Sequence, residues 1–188
     1  MGSGVLNREE AFDLLKRHVK DERFVKHCIA VEAIMRRLAK RLGQDEEVWG
    51  LAGLLHDIDY ELTRSEPEKH GVMAKDIIGK LVPEHVMKAI MAHNFENTGI
   101  QPTSTLDKAL IASDAASGLL VACALVMPSK KMDEVKLKTV LRKFKAKDFA
   151  RGVSRRRIRF CEQIGFTLED FLDEALKALK DVADALGL

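Results

Sequence analysis

The chain has 188 residues, of which 46% are hydrophobic and 32% are charged, a composition typical of a globular protein rather than of a disordered or collagen-like chain. Its length predicts one domain, residues 1–188, with room for a sizeable core. Lys and Arg outnumber Asp and Glu by 31 to 29, and the resulting net charge of +2 gives the molecule as a whole no electrostatic preference for a polyanion.

The cysteine pattern and the absence of targeting signals bear on the cellular compartment. Cys28, Cys123 and Cys161 lie far apart and form no Cys-x-x-Cys pair, which favours buried thiols over disulfides or a thiolate zinc site. The longest apolar run, 118–127, is about half of the roughly 20 residues that a membrane span needs. The first residues match neither a signal peptide nor a myristoylation signal. We therefore expect a cytoplasmic protein with no membrane partner.

Apolar residues recur at spacings of three and four along almost the whole chain, and no stretch alternates with period two for long enough to predict a strand. The predicted fold class is therefore all-α. Caps and helix breakers predict eight helices and a further short one. The eight are at residues 8–20, 22–42, 45–57, 66–81, 83–93, 105–126, 133–150 and 168–186, and the short one is at 155–164.

Two of these helix starts are predicted from capping boxes. Ser65 and Glu68 flank Pro67. The helix predicted at 66–81 therefore starts with a capping hydroxyl, a first-turn proline and a carboxylate that can reach back to the cap. Ser104 and Asp107 form a similar box before the long apolar helix at 105–126.

Four predicted helices each carry one ionisable side chain on the apolar face, at helical spacing from Ala, Val, Ile, Leu or Met. These side chains are His27, His70, His93 and Asp114. In addition, His56 and Asp57 end the apolar helix 45–57. Burying a carboxylate without a partner costs several kcal/mol. Asp57 and Asp114 therefore need a cationic partner in the interior.

A divalent metal ion would satisfy all six side chains at once. Four imidazoles with two carboxylates form the mixed nitrogen and oxygen donor set that suits first-row divalent metals. We predict one or two such ions, of Fe, Mn, Co, Ni or Zn. The competing interpretation of each histidine alone is a hydrogen-bonded core residue. His18, which also lies on an apolar stripe, is interpreted as packing or capping its helix, and His85 is expected to be exposed.

Three acids lie close in sequence to the candidate ligands. Asp59, Glu61 and Glu68 could orient the imidazoles, as metal-bound histidines usually require. The alternative is that they are surface acids or helix caps.

The order of these residues resembles the signature of the HD superfamily of metal-dependent phosphohydrolases: a His, then a His-Asp pair at a helix end, then an Asp on a later helix. The sequence around the pair is Leu-Ala-Gly-Leu-Leu-His-Asp-Ile-Asp, and His70-Gly71 follows. Both features resemble the two-metal HD hydrolases that split diadenosine tetraphosphate. The resemblance covers residues 20–126. From 114–131 through 149–155, the chain looks closer still to uncharacterised predicted HD hydrolases of bacteria and archaea. Asn94 departs from several two-metal families, which carry His or Thr there.

The resemblance implies an HD-domain helical bundle, with a metal-binding core at 20–126 and a C-terminal helical extension, 127–188, packed on it. It also implies the ligand sets. His27, His56, Asp57 and Asp114 would hold one metal, His70 and His93 would complete a second, Asp57 would bridge, and His56 and Asp57 would be catalytic. The implied reaction is hydrolysis of a phosphate ester or anhydride of a nucleotide or small phosphorylated metabolite by metal-activated hydroxide.

The segment 130–159 is strongly basic, with thirteen Lys or Arg against three acids, a local charge of +10 that leaves −8 on the remainder. Such cations hold phosphate groups, and five of them fall in the stretches that resemble the uncharacterised hydrolases. These candidate substrate contacts are Lys130, Lys131, Lys147, Arg151 and Arg155. The competing interpretation is a solvated face of helices whose apolar sides face the core.

Two other functions stay open. A di-iron oxygenase of the HD superfamily would use the same kind of donor set. A non-catalytic basic module would bind nucleic acid through residues 130–159, but its Lys and Arg are not interleaved with aromatic residues, so nucleic acid is the less favoured partner. The favoured partner is a small phosphorylated substrate, with a nucleotide as the first choice, and a homodimer also stays open.

Overall fold

The computed structural model describes residues 6–188, which are helical with no strand in that range. The all-α prediction is confirmed. Seven helices have nine or more residues: α1 (Arg8–His18), α2 (Glu22–Leu42), α3 (Glu46–Leu55), α4 (Glu84–Ala92), α5 (Thr105–Leu125), α6 (Leu137–Lys145) and α7 (Leu168–Asp181). Shorter α-helical segments are Tyr60–Thr63, Ala74–Ile78, Phe95–Thr98, Arg155–Ile158 and Ala183–Leu186, and 3-10 turns are Pro67–Lys69, Met132–Glu134 and Arg159–Ile164.

The two longest helices, α2 and α5, form the centre of the fold. Helix α2 packs against α3, α5 and α7, while α5 also contacts α4, α6 and α7. Helix α5 is long and apolar enough to cross a membrane by length and composition alone, but most of its residues are buried against these neighbours. The extension after residue 127 packs on this centre through α6 and α7.

Capping chemistry sets the ends of both central helices. The Asp21 carboxylate accepts the backbone N–H of Arg23 at the start of α2, and Gly43 ends that helix in the left-handed conformation, with φ of 63°. The capping box predicted for Ser104 and Asp107 is present at the start of α5. These ends fix which residues of α2 and α5 face inward.

The prediction of one helix at 66–81 is wrong, as is its capping box. The chain forms the 3-10 turn Pro67–Lys69, extends at His70, and becomes α-helical only at Ala74. No side chain caps the 3-10 turn. The Asp59 carboxylate accepts the backbone N–H groups of Gly71 and Ala74 and so replaces intrahelical hydrogen bonds. Gly71 has φ of +84°, and a Cβ there would lie 2.8 Å from the Ile90 carbonyl oxygen.

The predicted helix 133–150 is shorter in the structure, where α6 covers only Leu137–Lys145. Beyond it the chain turns around the Arg155 guanidinium, which donates to the carbonyl oxygens of Lys143, Ala146 and Phe149. An internal cation thus satisfies carbonyls that a longer helix would have paired. The segments predicted as 155–164 and 168–186 each divide into two shorter elements.

Glu174 joins α7 to α2 and makes folding stability depend on pH. This carboxylate is 6% exposed and accepts from Arg37 Nε at 2.7 Å. Burial raises the pKa of Glu174, but the hydrogen bond and charge of Arg37 outweigh burial and lower it. The stabilisation is therefore present above the unfolded-state pKa, about 4.3, and is lost as pH falls through the lower folded-state pKa.

We expect Glu174→Gln to lower the free energy of unfolding by about 1–3 kcal/mol at pH 7, because the Arg37 guanidinium loses the negative charge of its buried partner. The deficit relative to wild type should shrink below about pH 4 as wild-type Glu174 protonates. Urea titrations at pH 7 and pH 3.5 measure both values. Asp181→Asn is the matched control, since this carboxylate also meets Arg37, at 3.3 Å, but is 70% exposed. A deficit that persists unchanged at pH 3.5 would contradict the charge-based explanation.

Candidate metal centre

Six side chains from five segments converge beside the buried end of α3. His56 and Asp57 follow the last residue of α3, so the chain leaves the helix with both side chains in the interior. The other four come from neighbouring segments: His27 from the second turn of α2, His70 from the extended residue before Gly71, His93 from the end of α4, and Asp114 from the middle of α5.

Asp57 lies between two pairs of histidines. Nε2 of His27 is 3.2 Å from Nε2 of His56, and Nε2 of His70 is 3.0 Å from Nε2 of His93. Asp57 Oδ1 lies 3.3 Å from His56 Nε2 and 3.2 Å from His70 Nε2. Its Oδ2 lies 3.6 Å from His27 Nε2. One carboxylate therefore faces both histidine pairs.

Asp114 joins the first of these pairs only. Its Oδ1 is 3.2 Å from His27 Nε2 and 4.0 Å from His56 Nε2. Two groups of side chains consequently have ligand atoms close enough to share an ion: His27, His56 and Asp57, and Asp57, His70 and His93.

Two of the four imidazoles are oriented by backbone carbonyls. His56 Nδ1 is 2.8 Å from the Gly53 carbonyl oxygen, and His93 Nδ1 is 2.5 Å from the Ile90 carbonyl oxygen. A carbonyl oxygen only accepts, so each Nδ1 carries the proton. The Nε2 lone pair of each ring then points into the centre, which is the tautomer that a metal ligand needs.

The other two imidazoles are oriented by side chains. His70 Nδ1 is 3.0 Å from Asp59 Oδ1. His27 Nδ1 is 3.1 Å from the Ser117 hydroxyl, which donates its own hydrogen to the Asp114 carbonyl oxygen and therefore accepts from His27. All four histidines thus direct Nε2 inward.

The spacing of the ligand atoms fits a metal ion. Each pair of Nε2 atoms, about 3 Å apart, needs either one proton or a cation between its two nitrogens. With metal–ligand bonds of about 2.0–2.2 Å, neighbouring ligand atoms stand roughly 3.0–3.5 Å apart, which matches the separations of 3.0–3.3 Å for the closest pairs here. The donor set and its spacing therefore suit first-row divalent ions.

The electrostatics of the centre point the same way. Burial lowers the pKa of His56 to about 4, so this ring is neutral near pH 7. Burial raises the pKa values of Asp57 and Asp114, but the surrounding histidines, joined at Asp114 by the charge of Arg157, outweigh it and lower both values below the ordinary one. For His70, hydrogen bonds to Asp57 and Asp59 outweigh burial and raise the pKa to about 9. A metal bound at His70 must displace a proton.

The structure distinguishes the three acids near the pair. Asp59 is fully buried and accepts from His70 Nδ1 and from two backbone N–H groups. Glu61 instead accepts the backbone N–H groups of Lys20 and Asp21, at 2.8 and 2.9 Å, before α2. Glu68 is exposed. Only Asp59 orients an imidazole.

Arg157 is a residue of the centre that the sequence analysis missed. Its Nη2 lies 3.2 Å from Asp114 Oδ2 and donates to the His93 carbonyl oxygen. This guanidinium therefore ties α4 to α5 and holds the Asp114 oxygen that faces away from His27. No sequence signal distinguishes Arg157 from its neighbours, because it is the last of three consecutive arginines, 155–157.

Of the five residues predicted as substrate contacts, four are exposed and one is hydrogen-bonded to the backbone. Lys130, Lys131, Lys147 and Arg151 are exposed. The prediction for Arg155 is wrong, because its guanidinium donates to carbonyl oxygens of the surrounding chain. The six acceptors are Lys143, Phe144, Ala146, Phe149, Ala150 and Val153.

Other sequence predictions about single residues are confirmed. His85 is exposed, and His18 is half-buried as the last residue of α1. Cys28, Cys123 and Cys161 are buried free thiols, and burial raises the pKa of each. None of the three is suited to be a thiolate ligand.

The centre opens to solvent through a cleft of about 580 Å³ lined by Arg23, Phe24, His27, Asp57 and Arg64. The Arg64 guanidinium lies 5.6 Å from the centre of the Phe24 ring. Two arginines thus flank the exposed edge of His27 and Asp57. They come from α2 and from the turn after Tyr60–Thr63, and only folding brings them together.

Fold and site together define an all-helical protein with a His/Asp centre whose side chains could hold metal ions. Residues 24–119, about half of the chain, match the family model described as the HD domain. The chain belongs to this HD domain family.

Among curated proteins, Ribonuclease Y of Desulfotalea psychrophila (strain LSv54 / DSM 12343) is 33% identical over 95 residues. The aligned region is 50% of this chain but 18% of that protein, so the chain spans only a small part of this relative. No solved structure matches the chain.

Proposed function

We propose that the protein is a metal-dependent phosphohydrolase that cleaves a phosphate ester or anhydride of a small phosphorylated metabolite, with nucleotides as the first class to test. The observation that carries the proposal is the position of Asp57 between two pairs of inward-facing Nε2 atoms. Membership of the HD domain family supports it.

The proposed ligands divide into two sets that share Asp57. His27, His56, Asp57 and Asp114 would hold one ion, and Asp57, His70 and His93 would hold the other. Divalent ions bound there lower the pKa of water and neutralise charge on phosphoryl oxygens, the two requirements of phosphate hydrolysis near neutral pH.

The remaining residues of the site position ligands and substrate. Asp59 and Ser117 accept from Nδ1 of His70 and His27 and so direct the Nε2 atoms of both rings inward. Arg157 holds the outer oxygen of Asp114. In the opening, Arg23 and Arg64 would bind phosphoryl oxygens through their planar guanidinium groups.

The similarity to Ribonuclease Y favours RNA phosphodiesters as a second candidate substrate class. The exposed basic residues between Lys130 and Arg151 would then contact the RNA backbone. Their contribution would make cleavage fall steeply with salt, whereas hydrolysis of a small phosphate compound in the cleft would be far less sensitive to salt.

The direct test is phosphate release by protein stripped of metal and reloaded separately with Mn²⁺, Co²⁺, Ni²⁺, Zn²⁺ or anaerobically with Fe²⁺. We expect at least one ion to support hydrolysis of a compound in a panel of nucleotides, sugar phosphates and a short RNA, and EDTA to abolish it. The activity should persist without oxygen. Oxygen uptake with no phosphate or phosphodiester cleavage would contradict the proposal and support the oxygenase alternative.

A further inference from the structure

A second cavity, of about 380 Å³, is lined by His27, one of the candidate metal ligands. His27 and Arg23 line both this cavity and the open cleft that contains Asp57. Ser117, which orients the His27 ring, also lines the cavity. The cavity and the cleft therefore share two side chains, one of which is a candidate metal ligand.

The walls of this cavity are mainly apolar, with cations at its rim. Ala30, Val121, Leu125 and Leu186 supply the apolar walls. The remaining lining residues include Lys26, whose Nζ lies close to Gly187, where a Cβ would be 2.9 Å from it. A cavity of this size and composition is typical of sites that bind small molecules rather than polymers.

The charges around the opening favour an anion next to the apolar walls. Arg23 pairs with Asp21 at 2.7 Å, and Arg64 lies 4.0 Å from the same carboxylate. No carboxylate lies within ion-pair distance of Lys26 among residues 6–188. Arg23 and Lys26 therefore supply positive charge at the cavity, and Arg23 and Arg64 supply it at the cleft, where phosphoryl oxygens would lie.

We propose that this cavity binds the apolar or aromatic group of the substrate while its phosphate lies in the cleft beside His27 and Asp57. The inference rests on the proposed phosphohydrolase function and names its substrate class: a small phosphorylated compound whose organic part is apolar or aromatic. Leu125 and Leu186 lie outside the region that matches the family model, residues 24–119. Leu186 belongs to the C-terminal extension, 127–188, which thus supplies part of the cavity wall.

The test compares two phosphonate probes that cannot be hydrolysed, benzylphosphonate and methylphosphonate, by isothermal titration into the Mn²⁺-loaded protein. We expect benzylphosphonate to bind at least about tenfold more tightly, which corresponds to about 1.4 kcal/mol. Equal affinity of the two probes for the wild-type protein would overturn the proposal.

Leu125→Glu places a charge on the wall of the cavity, and Val126→Glu is its matched control. Both residues are exposed, at 51% and 56%, but Val126 does not line the cavity. We expect Leu125→Glu to reduce the preference for benzylphosphonate to within about twofold and Val126→Glu to keep it. A preference that survives Leu125→Glu, or that Val126→Glu removes equally, would overturn the assignment of the cavity.

Phosphate release from benzyl phosphate on the same samples separates this inference from the function on which it rests. Hydrolysis of phosphate esters with no preference for the benzyl group would overturn the cavity assignment alone. A benzyl preference in a protein that hydrolyses nothing in the panel would support the cavity and overturn the proposed reaction.

Discussion

Asp57→Ala should remove most of the bound metal and reduce phosphate release by at least about 1,000-fold, because metal ions contribute several kcal/mol of transition-state stabilisation. Asp57 is the one carboxylate that faces both histidine pairs, with Oδ1 at 3.2–3.3 Å from His56 and His70. Its loss therefore weakens both candidate ion positions together, in contrast to a change at either pair alone.

Metal content by elemental mass spectrometry and phosphate release measure this effect on one preparation. Asp76→Ala is a suitable control, because Asp76 is an exposed acid on the short helix Ala74–Ile78. Far-ultraviolet circular dichroism shows whether each variant keeps its helices. If Asp57→Ala retained wild-type metal content, the carboxylate would not be a ligand and the proposed centre would be incorrect.

Asp59→Ala should weaken both the fold and metal binding, although Asp59 would touch no metal. The variant leaves His70 Nδ1 and the backbone N–H groups of Gly71 and Ala74 without their acceptor. Because these donors are buried, we expect a loss of about 2–4 kcal/mol in the free energy of unfolding. Released from this hydrogen bond, His70 should also bind metal about 10–100-fold more weakly.

Urea unfolding and Mn²⁺ titration calorimetry separate the two effects. Glu68→Ala is the control, since Glu68 is an exposed acid from the same region. Asp59→Asn keeps one oxygen acceptor, so its effects should lie between those of wild type and Asp59→Ala. Unchanged Mn²⁺ affinity in Asp59→Ala would show that the orientation of His70 does not matter to the centre.

Sequence periodicity predicted the parts of the site that lie on regular helices. His27 faces inward because α2 is long and apolar along one side, and Asp114 faces inward because α5 is buried around most of its circumference. His93 and the pair at 56–57 follow from the ends of α4 and α3 in the same way. In these places local pattern and tertiary packing agree.

The sequence analysis included His70 among the candidate ligands, but it did so from a helix that the chain does not form there. The spacing of Met73, Ala74 and Ile77 continues a helical pattern. However, the Asp59 carboxylate accepts the backbone N–H groups of Gly71 and Ala74, and Gly71 has a positive φ. A contact between residues twelve or more positions apart decided the conformation, and periodicity within one segment cannot detect such a contact.

The arginines show a further limit of sequence pattern. Arg155 and Arg157 are two residues apart, yet one satisfies backbone carbonyls and the other pairs with Asp114. Arg23 and Arg64 flank the opening although they are distant in sequence. Charge and spacing alone cannot assign such roles, because they depend on which carbonyls and carboxylates the fold brings near each guanidinium.

The stoichiometry of bound metal tests the central claim most directly. Protein purified without a metal-affinity tag, stripped and then reloaded with Mn²⁺, should retain about two ions per chain by elemental mass spectrometry after removal of excess metal. His93→Ala, which removes a ligand from one set only, should retain about one. Wild-type protein that retains no divalent ion under Mn²⁺, Fe²⁺ or Co²⁺ would contradict the account, and the inward-facing histidines would then be core residues.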